Sequence, residues 1–182
     1  MNIYFTSYGL DTRYHDYMNS YDDIIELLKN KKVAIIPNAK LKEQDRTNST
    51  VAKEELEKNS ISADIIDIDI EKLNIEKYDA LYLSGGEPKY LMNAILSAKL
   101  FADLKAFIDN GGIIIGQSAG AMVFSKKYLD TSTGKLLVMN NGFDYCVKII
   151  VPHYNNLSKD ILDIIPDDII KIKDEDRLIK IR

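Results

Sequence analysis

A serine between glycines, in the segment GGIIIGQSAGAMVF, is the first residue whose setting suggests chemistry. Ser118 follows a fully apolar run and precedes small residues that favour a helix, and Gly116 to Gly120 fits the pattern Gly-x-Ser-x-Gly. A sharp strand-to-helix turn of this kind lifts the serine hydroxyl above a sheet as a nucleophile. The free amides at the helix start, that of Ala119 among them, then face any oxyanion that forms. The alternative is an ordinary turn in which Ser118 caps the helix.

A nucleophilic serine needs a base, and the sequence holds two histidines, His15 and His153. His15 lies in a polar, tyrosine-rich stretch that is typical of a solvated surface. His153 follows the apolar run VKIIVP. Functional groups gather at the carboxyl ends of strands in an open parallel sheet, so Ser118 and His153 are expected to meet there. The alternative for His153 is a residue that simply ends a strand.

A third group should orient the imidazole, and an acidic residue is the usual choice. The spacing along the chain does not choose among the candidates. These are Asp130, Asp144, Asp174, Glu175 and Asp176.

A second glycine-rich turn, YLSGGEPKYL, also ends a buried strand and opens a helix. Gly85 and Gly86 let the backbone approach a ligand closely, which makes this turn a source of a second oxyanion donor. The alternative is a plain connection with Pro88 in the first helical position. No dinucleotide or phosphate-binding glycine pattern is present. Two distant histidines and one cysteine, Cys146, offer no metal-ligand spacing, so we expect neither a metal nor a cofactor.

The elements that must position these residues alternate along the chain. Short apolar runs alternate with segments of helical periodicity, which predicts a three-layer α/β/α sandwich with a mainly parallel sheet. We expect Ser20 to cap the helix in SYDDIIELLKN, and Asn48 or Ser49 to cap the helix in NSTVAKEELEKN. With 182 residues and no linker or repeat, residues 1–182 are expected to form a single domain.

Composition excludes several classes of protein. The net charge is −4 and no basic cluster stands out, so nucleic acid is not an expected partner. No apolar run approaches the roughly 20 residues that span a bilayer, so no membrane partner is expected. One cysteine and the lack of a leader pattern indicate a cytoplasmic protein, which we expect to be a monomer or a homodimer.

Taken in order, YLSGGEPKYL, IIIGQSAGAM and VPHYNN resemble peptidase family S51. That family includes the aspartyl dipeptidases of the peptidase E type and the cyanophycinases, on the class I glutamine amidotransferase-like (flavodoxin-like) fold. The resemblance implies that Ser118 is the nucleophile and His153 the general base. It also implies that the amides of Gly86 and Ala119 are the oxyanion donors, and that Gly85 lies beside the substrate.

The sequence departs from the family pattern at several points. Glu87 stands where asparagine is usual, and a carboxylate there opposes an oxyanion unless it points away or binds the amine of the substrate. The segment between Ser118 and His153 is short for the family, so the pattern does not fix the position of the acidic third residue. We take Asp130 as that residue. No arginine that would select an N-terminal aspartate is evident.

These observations predict a serine peptidase that hydrolyses short peptides through an acyl-enzyme, as a dipeptidase does. Two alternatives stay open at this point. The same serine could serve an amidase or esterase, or the chain could be a catalytically silent binding protein whose site Glu87 has spoiled.

Overall fold

A six-stranded sheet forms the middle of the protein. The computed structural model describes residues 1–17, 19–41, 46–130, 135–138, 143–163 and 165–181, of which 15–17 and 135–138 are described by their backbone alone. The strands of this sheet are β1 (Asn2–Thr6), β2 (Lys32–Ile36), β3 (Ser62–Ile65), β4 (Ala80–Leu83), β5 (Ile113–Gln117) and β10 (Ile179–Lys180). Their order is β10-β1-β5-β4-β2-β3, and every neighbouring pair is parallel except β1 with β10.

Four more strands form two small sheets beside the main one. They are β6 (Lys127–Asp130), β7 (Lys135–Val138), β8 (Ile149–Val151) and β9 (Ile169–Lys171). β6 pairs with β7 antiparallel, and β8 pairs with β9 in parallel. The run VKIIV therefore does form a strand before His153, but that strand does not belong to the sheet that carries Ser118.

Helices cover the main sheet on both faces. They are α1 (Tyr21–Leu28), α2 (Thr47–Lys58), α3 (Pro88–Ser97), α4 (Phe101–Asp109) and α5 (Ala119–Met122). Another helix, α6 (Lys159–Leu162), packs instead against the strands of the small sheets through Ile161. Short 3-10 turns lie at Thr12–Tyr17, Ile75–Lys77 and Tyr154–Asn156. In the described part of the chain, none of these helices has the length and apolar character that crossing a bilayer requires.

The side chains of β4 show that each face of the sheet has its own apolar layer. Leu81 and Leu83 pack in the layer that includes α3, α4 and α5. Ala80 and Tyr82 point the other way, into the layer that includes α1 and α2. Because successive strand residues face opposite sides, a central strand covered twice must be apolar throughout. The predicted three-layer α/β/α sandwich is confirmed.

The predicted helix caps are confirmed for α1 and wrong for α2. Ser20 is the N-cap residue of α1, but its hydroxyl is hydrogen-bonded with the hydroxyl of Thr6 at 2.8 Å and not with a helix amide. α2 begins at Thr47, so Asn48 and Ser49 lie inside its first turn and do not cap it. These polar side chains instead join elements that are distant in the chain, which lowers the cost of burying them.

Candidate active site

Ser118 occupies the turn between β5 and α5 in a strained conformation. Its φ of 49° and ψ of −108° are rarely adopted by a residue with a side chain, and such strain concentrates at functional sites. The Ser118 amide donates a hydrogen bond to the carbonyl of Thr6 at 2.9 Å, so the end of β1 holds the turn. The side chain is half-buried. The structure thus places the serine where Gly-x-Ser-x-Gly predicts it.

The glycines on either side of Ser118 are required by close packing. A Cβ on Gly120 would lie 2.1 Å from the carbonyl oxygen of Leu83, and a Cβ on Gly116 would lie 2.5 Å from that of Gly120. Real Cβ atoms do not approach backbone oxygens this closely. α5 therefore packs against β4 and β5 with no room for a side chain, and this contact fixes the height of Ser118 above the sheet.

Replacing Gly120 by alanine tests this contact. We expect Gly120→Ala to lower the free energy of unfolding by about 3 kcal/mol or more, because backbone atoms must move to admit the methyl group. Gly111→Ala is the matched control, since nothing lies within 4 Å of its Cβ and only its φ of 89° is unfavourable. Its expected cost is about 1 kcal/mol. Urea unfolding of both variants measures the difference, and equal losses would contradict the packing argument.

His153 and Asp174 complete a hydrogen-bonded row with Ser118. The distance from Ser118 Oγ to His153 Nε2 is 3.1 Å, and from His153 Nδ1 to Asp174 Oδ1 it is 2.6 Å. The Asp174 carboxylate is fully buried, and as an acceptor it keeps the ring proton on Nδ1. Nε2 is then free to accept the proton of the serine hydroxyl.

Asn155 and Asn156 hold this acid in place. The Asp174 amide donates to Asn155 Oδ1 at 3.0 Å, and Asn156 Nδ2 donates to the second carboxylate oxygen. Both asparagines follow His153 in the 3-10 turn Tyr154–Asn156. The segment VPHYNN thus supplies the imidazole together with the side chains that position its acid.

The expectation that Asp130 orients the imidazole is corrected to Asp174. Both ring nitrogens of His153 are taken, one by Ser118 and the other by Asp174. Asp130 ends β6 and lines a cavity beside Ser118. His153 follows β8 and Asp174 follows β9, and these two strands are parallel neighbours. The signal for Asp174 in the sequence is its place just after the run DIIKIK, because the carboxyl ends of neighbouring parallel strands meet at one edge of a sheet.

The end of β1 also fixes the backbone of His153. His153 has the left-handed values φ 54° and ψ 32°, and its amide donates to Ser7 Oγ at 3.0 Å. Ser7 Oγ in turn donates to the carbonyl of Ile172 at 3.2 Å. The imidazole packs edge-on against the ring of Tyr8 with centroids 4.7 Å apart. The side chain of His15, the other histidine, is outside those that the structure describes.

The backbone amides of the two turns beside Ser118 differ in their hydrogen-bond partners. Among the described residues, the amides of Gly86 and Ala119 have no hydrogen-bond partner. The Gly85 amide, by contrast, donates to Gln117 Oε1 at 3.2 Å. Gly86 has a φ of 151°, and a Cβ there would meet the carbonyl oxygen of Ala39 at 2.3 Å. Among the described amides of the second turn, that of Gly86 is therefore the one without a partner.

Two cavities open beside the Ser118–His153 pair, and both are also lined by Gly86. We call the first, of about 340 Å³, the Tyr128 cavity; its walls include Glu87, Met122, Tyr128, Leu129, Asp130 and Val151. We call the second, of about 350 Å³, the Arg13 cavity; its walls include Ser7, Tyr8, Asp11, Arg13, Tyr14 and Lys40.

The two cavities differ in charge. Burial raises the pKa of Tyr128, and the nearby negative charges of Glu87 and Asp130 raise it further. Glu87 also accepts a hydrogen bond from the Lys89 amide at 3.4 Å, at the start of α3.

Basic residues line the Arg13 cavity. Arg13 pairs with the buried carboxylate of Asp11, with Nη2 to Oδ2 at 2.5 Å, and Lys40 lies on the same wall. No three His, Cys, Asp or Glu side chains cluster as metal ligands within the residues described.

Ser118 lies in a strained turn between a parallel strand and a helix, and an imidazole and a buried acid lie in line with it. These features define a class of three-layer α/β proteins with a hydrolase-type site. Comparison with known proteins then identifies the family. The chain belongs to peptidase family S51, whose model matches residues 6–181. The protein is therefore a peptidase by family, as the resemblance in its glycine turns and VPHYNN segment predicts.

Several relatives are peptidases by name. Lmo0363, an uncharacterized peptidase of Listeria monocytogenes, is 28% identical over 156 residues, which cover 76% of each chain. PM1590, an uncharacterized peptidase of Pasteurella multocida, is 23% identical over 158 residues, covering 81% of this chain and 76% of its own. A crystal structure from Listeria monocytogenes, of a protein described as a candidate peptidase E, shares the fold with a TM-score of 0.73. It is 21% identical, and the match covers 100% of this chain and 98% of the other.

Proposed function

We propose that the protein is a serine peptidase that hydrolyses short, unblocked peptides. The observation that carries the proposal is the row from Ser118 Oγ through His153 to Asp174, at 3.1 Å and 2.6 Å, in which Ser118 and His153 line two cavities. Nucleophile, base and orienting acid in this arrangement are what acyl transfer requires.

The reaction follows from the positions of these groups. Ser118 Oγ attacks the scissile carbonyl carbon while His153 Nε2 takes its proton. The amides of Gly86 and Ala119 donate to the oxyanion of the tetrahedral intermediate. His153 then gives the proton to the leaving amine, and the C–N bond breaks to leave an ester on Ser118. Water, activated by the same imidazole, hydrolyses that ester.

The charges of the cavities favour a substrate with both ends free. In the Tyr128 cavity the carboxylates of Glu87 and Asp130 suit a free amino group on the acyl side of the scissile bond. In the Arg13 cavity, Lys40 adds a positive charge beside the Arg13–Asp11 pair, and this charge suits a free carboxylate on the leaving side. A dipeptide presents both charges one residue from its single peptide bond, so a dipeptide fits this arrangement.

Blocked and unblocked dipeptides test the proposal. We expect the protein to cleave free dipeptides, and we expect N-acetylation or C-terminal amidation each to lower kcat/KM by about 10- to 100-fold, because each removes a charge that a cavity recognises. Glu87→Gln should reduce the difference in kcat/KM between free and N-acetylated dipeptides. Lys89→Gln, which removes a charge two residues further along the chain, should leave this difference unchanged. Amino-acid release measured by chromatography provides the rates.

Other outcomes would assign the site differently. Hydrolysis of simple esters or amides with no cleavage of any dipeptide would favour an amidase or esterase on the same serine. Failure of a fluorophosphonate to label Ser118 in the native protein would favour a silent binding protein.

A further inference from the structure

We infer that Asn48 is a positioning residue for the oxyanion hole, holding the Gly85–Gly86 peptide with its N–H turned toward the site. This inference rests on the proposed function, since it assigns a role to the donor amide of Gly86. Asn48 lies in the first turn of α2, far along the chain from the residues that react.

The hydrogen bonds of Asn48 fix the direction of its amide group. Asn48 Nδ2 donates to the carbonyl of Gly85 at 2.9 Å, and Asn48 Oδ1 accepts from the amide of Ser49 at 3.0 Å. The Ser49 amide can only donate, so the other end of the Asn48 side chain must be the NH₂ group. Asn48 is buried, so its bond to Gly85 is shielded from competing water.

Three successive peptides of the second glycine turn are each held by a different residue. The Gly85 amide is held by Gln117 Oε1, and the Glu87 amide by the carbonyl of Ala39 at 2.8 Å. The peptide between them, made of the Gly85 carbonyl and the Gly86 amide, is held by Asn48. In a trans peptide the C=O and N–H groups point in opposite directions. Holding the carbonyl against α2 therefore turns the Gly86 N–H away from α2.

The orientation of this peptide group must be fixed by a contact because the group joins two glycines. Glycine reaches both signs of φ at little cost, so a Gly–Gly peptide can rotate with its carbonyl and amide exchanged. In the rotated state a carbonyl oxygen would face the developing oxyanion, and a donor would be lost. One oxyanion donor is worth about 10²- to 10³-fold in kcat.

The test compares Asn48 variants with a neighbour on the same helix. We expect Asn48→Ala and Asn48→Asp to lower kcat by about 10- to 100-fold with KM within about twofold, because the donor acts on the transition state. Asn48→Asp keeps the side-chain volume but replaces the donor by a carboxylate oxygen and adds a negative charge, so the uncharged Asn48→Ala carries the quantitative comparison. Ser49→Ala is the matched control: it loses the bond from Ser49 Oγ to Ser84 Oγ at 2.8 Å and leaves the Gly85 contact intact. It should keep kcat within about threefold.

A peptide aldehyde separates positioning from a general structural role. It adds to the serine as a tetrahedral adduct with an oxyanion, so its Ki should rise in both Asn48 variants by the same factor as kcat falls. The Ki of the leaving-side product amino acid, which does not contain the former scissile carbonyl and so does not reach the oxyanion donors, should stay unchanged.

Several results would overturn the inference. They are an unchanged kcat in Asn48→Ala, an unchanged aldehyde Ki, an equal loss in Ser49→Ala, or loss of the folded state in both Asn48 variants. Full activity of Ser118→Ala would instead refute the proposed function, so the two failures are distinguishable.

Discussion

Replacing Ser118 by alanine is expected to lower kcat/KM for a cleaved dipeptide by about 10⁴- to 10⁶-fold, while the protein stays folded. The loss is large because the variant has no atom to form the acyl-enzyme, and only binding and the oxyanion donors remain. The fold should survive because the hydroxyl is half-buried and its described hydrogen bond is to His153. Steady-state kinetics and near-ultraviolet circular dichroism measure the two effects.

Ser125→Ala is the matched control for this variant. Ser125 is a buried serine whose hydroxyl donates to the carbonyl of Lys148 at 3.1 Å and accepts from the Ile150 amide at 3.2 Å. Its loss should lower stability by about 1 kcal/mol and leave kcat unchanged. A Ser118→Ala protein that cleaves dipeptides as fast as the parent would show that another group is the nucleophile.

Asp174→Asn is expected to lower kcat by about 10³- to 10⁴-fold. The asparagine amide can donate to His153 Nδ1, which would place the ring proton on Nε2. Nε2 could then no longer accept the proton of Ser118. Because the substitution keeps the shape of the side chain, the loss should appear in kcat far more than in stability. Kinetics and thermal unfolding of the same sample separate the two.

Asp130→Asn makes the same chemical change in the acid that sequence reasoning favoured. Asp130 lines the Tyr128 cavity, so its neutralisation should raise KM by a few-fold and leave kcat within about threefold. A loss of kcat in Asp130→Asn as large as that in Asp174→Asn would return the orienting role to Asp130.

Most of the central sheet could be predicted from the sequence, because its strands are short apolar runs that helical segments separate. The turn at Ser118 could also be predicted, since its glycines are dictated by contacts within a few residues and with β4. The sequence does not predict the sheet to which β8 and β9 belong. Runs such as VKIIV and DIIKIK have the same pattern whichever partner they choose, and strand partners are set by tertiary packing.

The same limit explains the misplaced acid and the missed role of Asn48. Asp174 reaches His153 only because β8 and β9 are neighbours, and no spacing in the sequence encodes that pairing. Asn48 has the residue type of a helix cap and lies near the start of α2. An asparagine amide bonds equally well to a helix amide or to a distant carbonyl, and here the carbonyl of Gly85 is its partner. Local sequence patterns therefore predict that such residues form hydrogen bonds, but they do not predict the partners.

The hold that β1 exerts on both reacting residues has a consequence for catalysis. Thr6 at the end of β1 binds the backbone of Ser118, and Ser7, the next residue, binds that of His153. β1 itself lies between two other strands in the sheet. In the proposed mechanism, the nucleophile and its base are thus preorganised by the scaffold before any substrate arrives. Little of the intrinsic binding energy of a small substrate is then consumed in ordering the enzyme, and the remainder is available to lower the activation barrier.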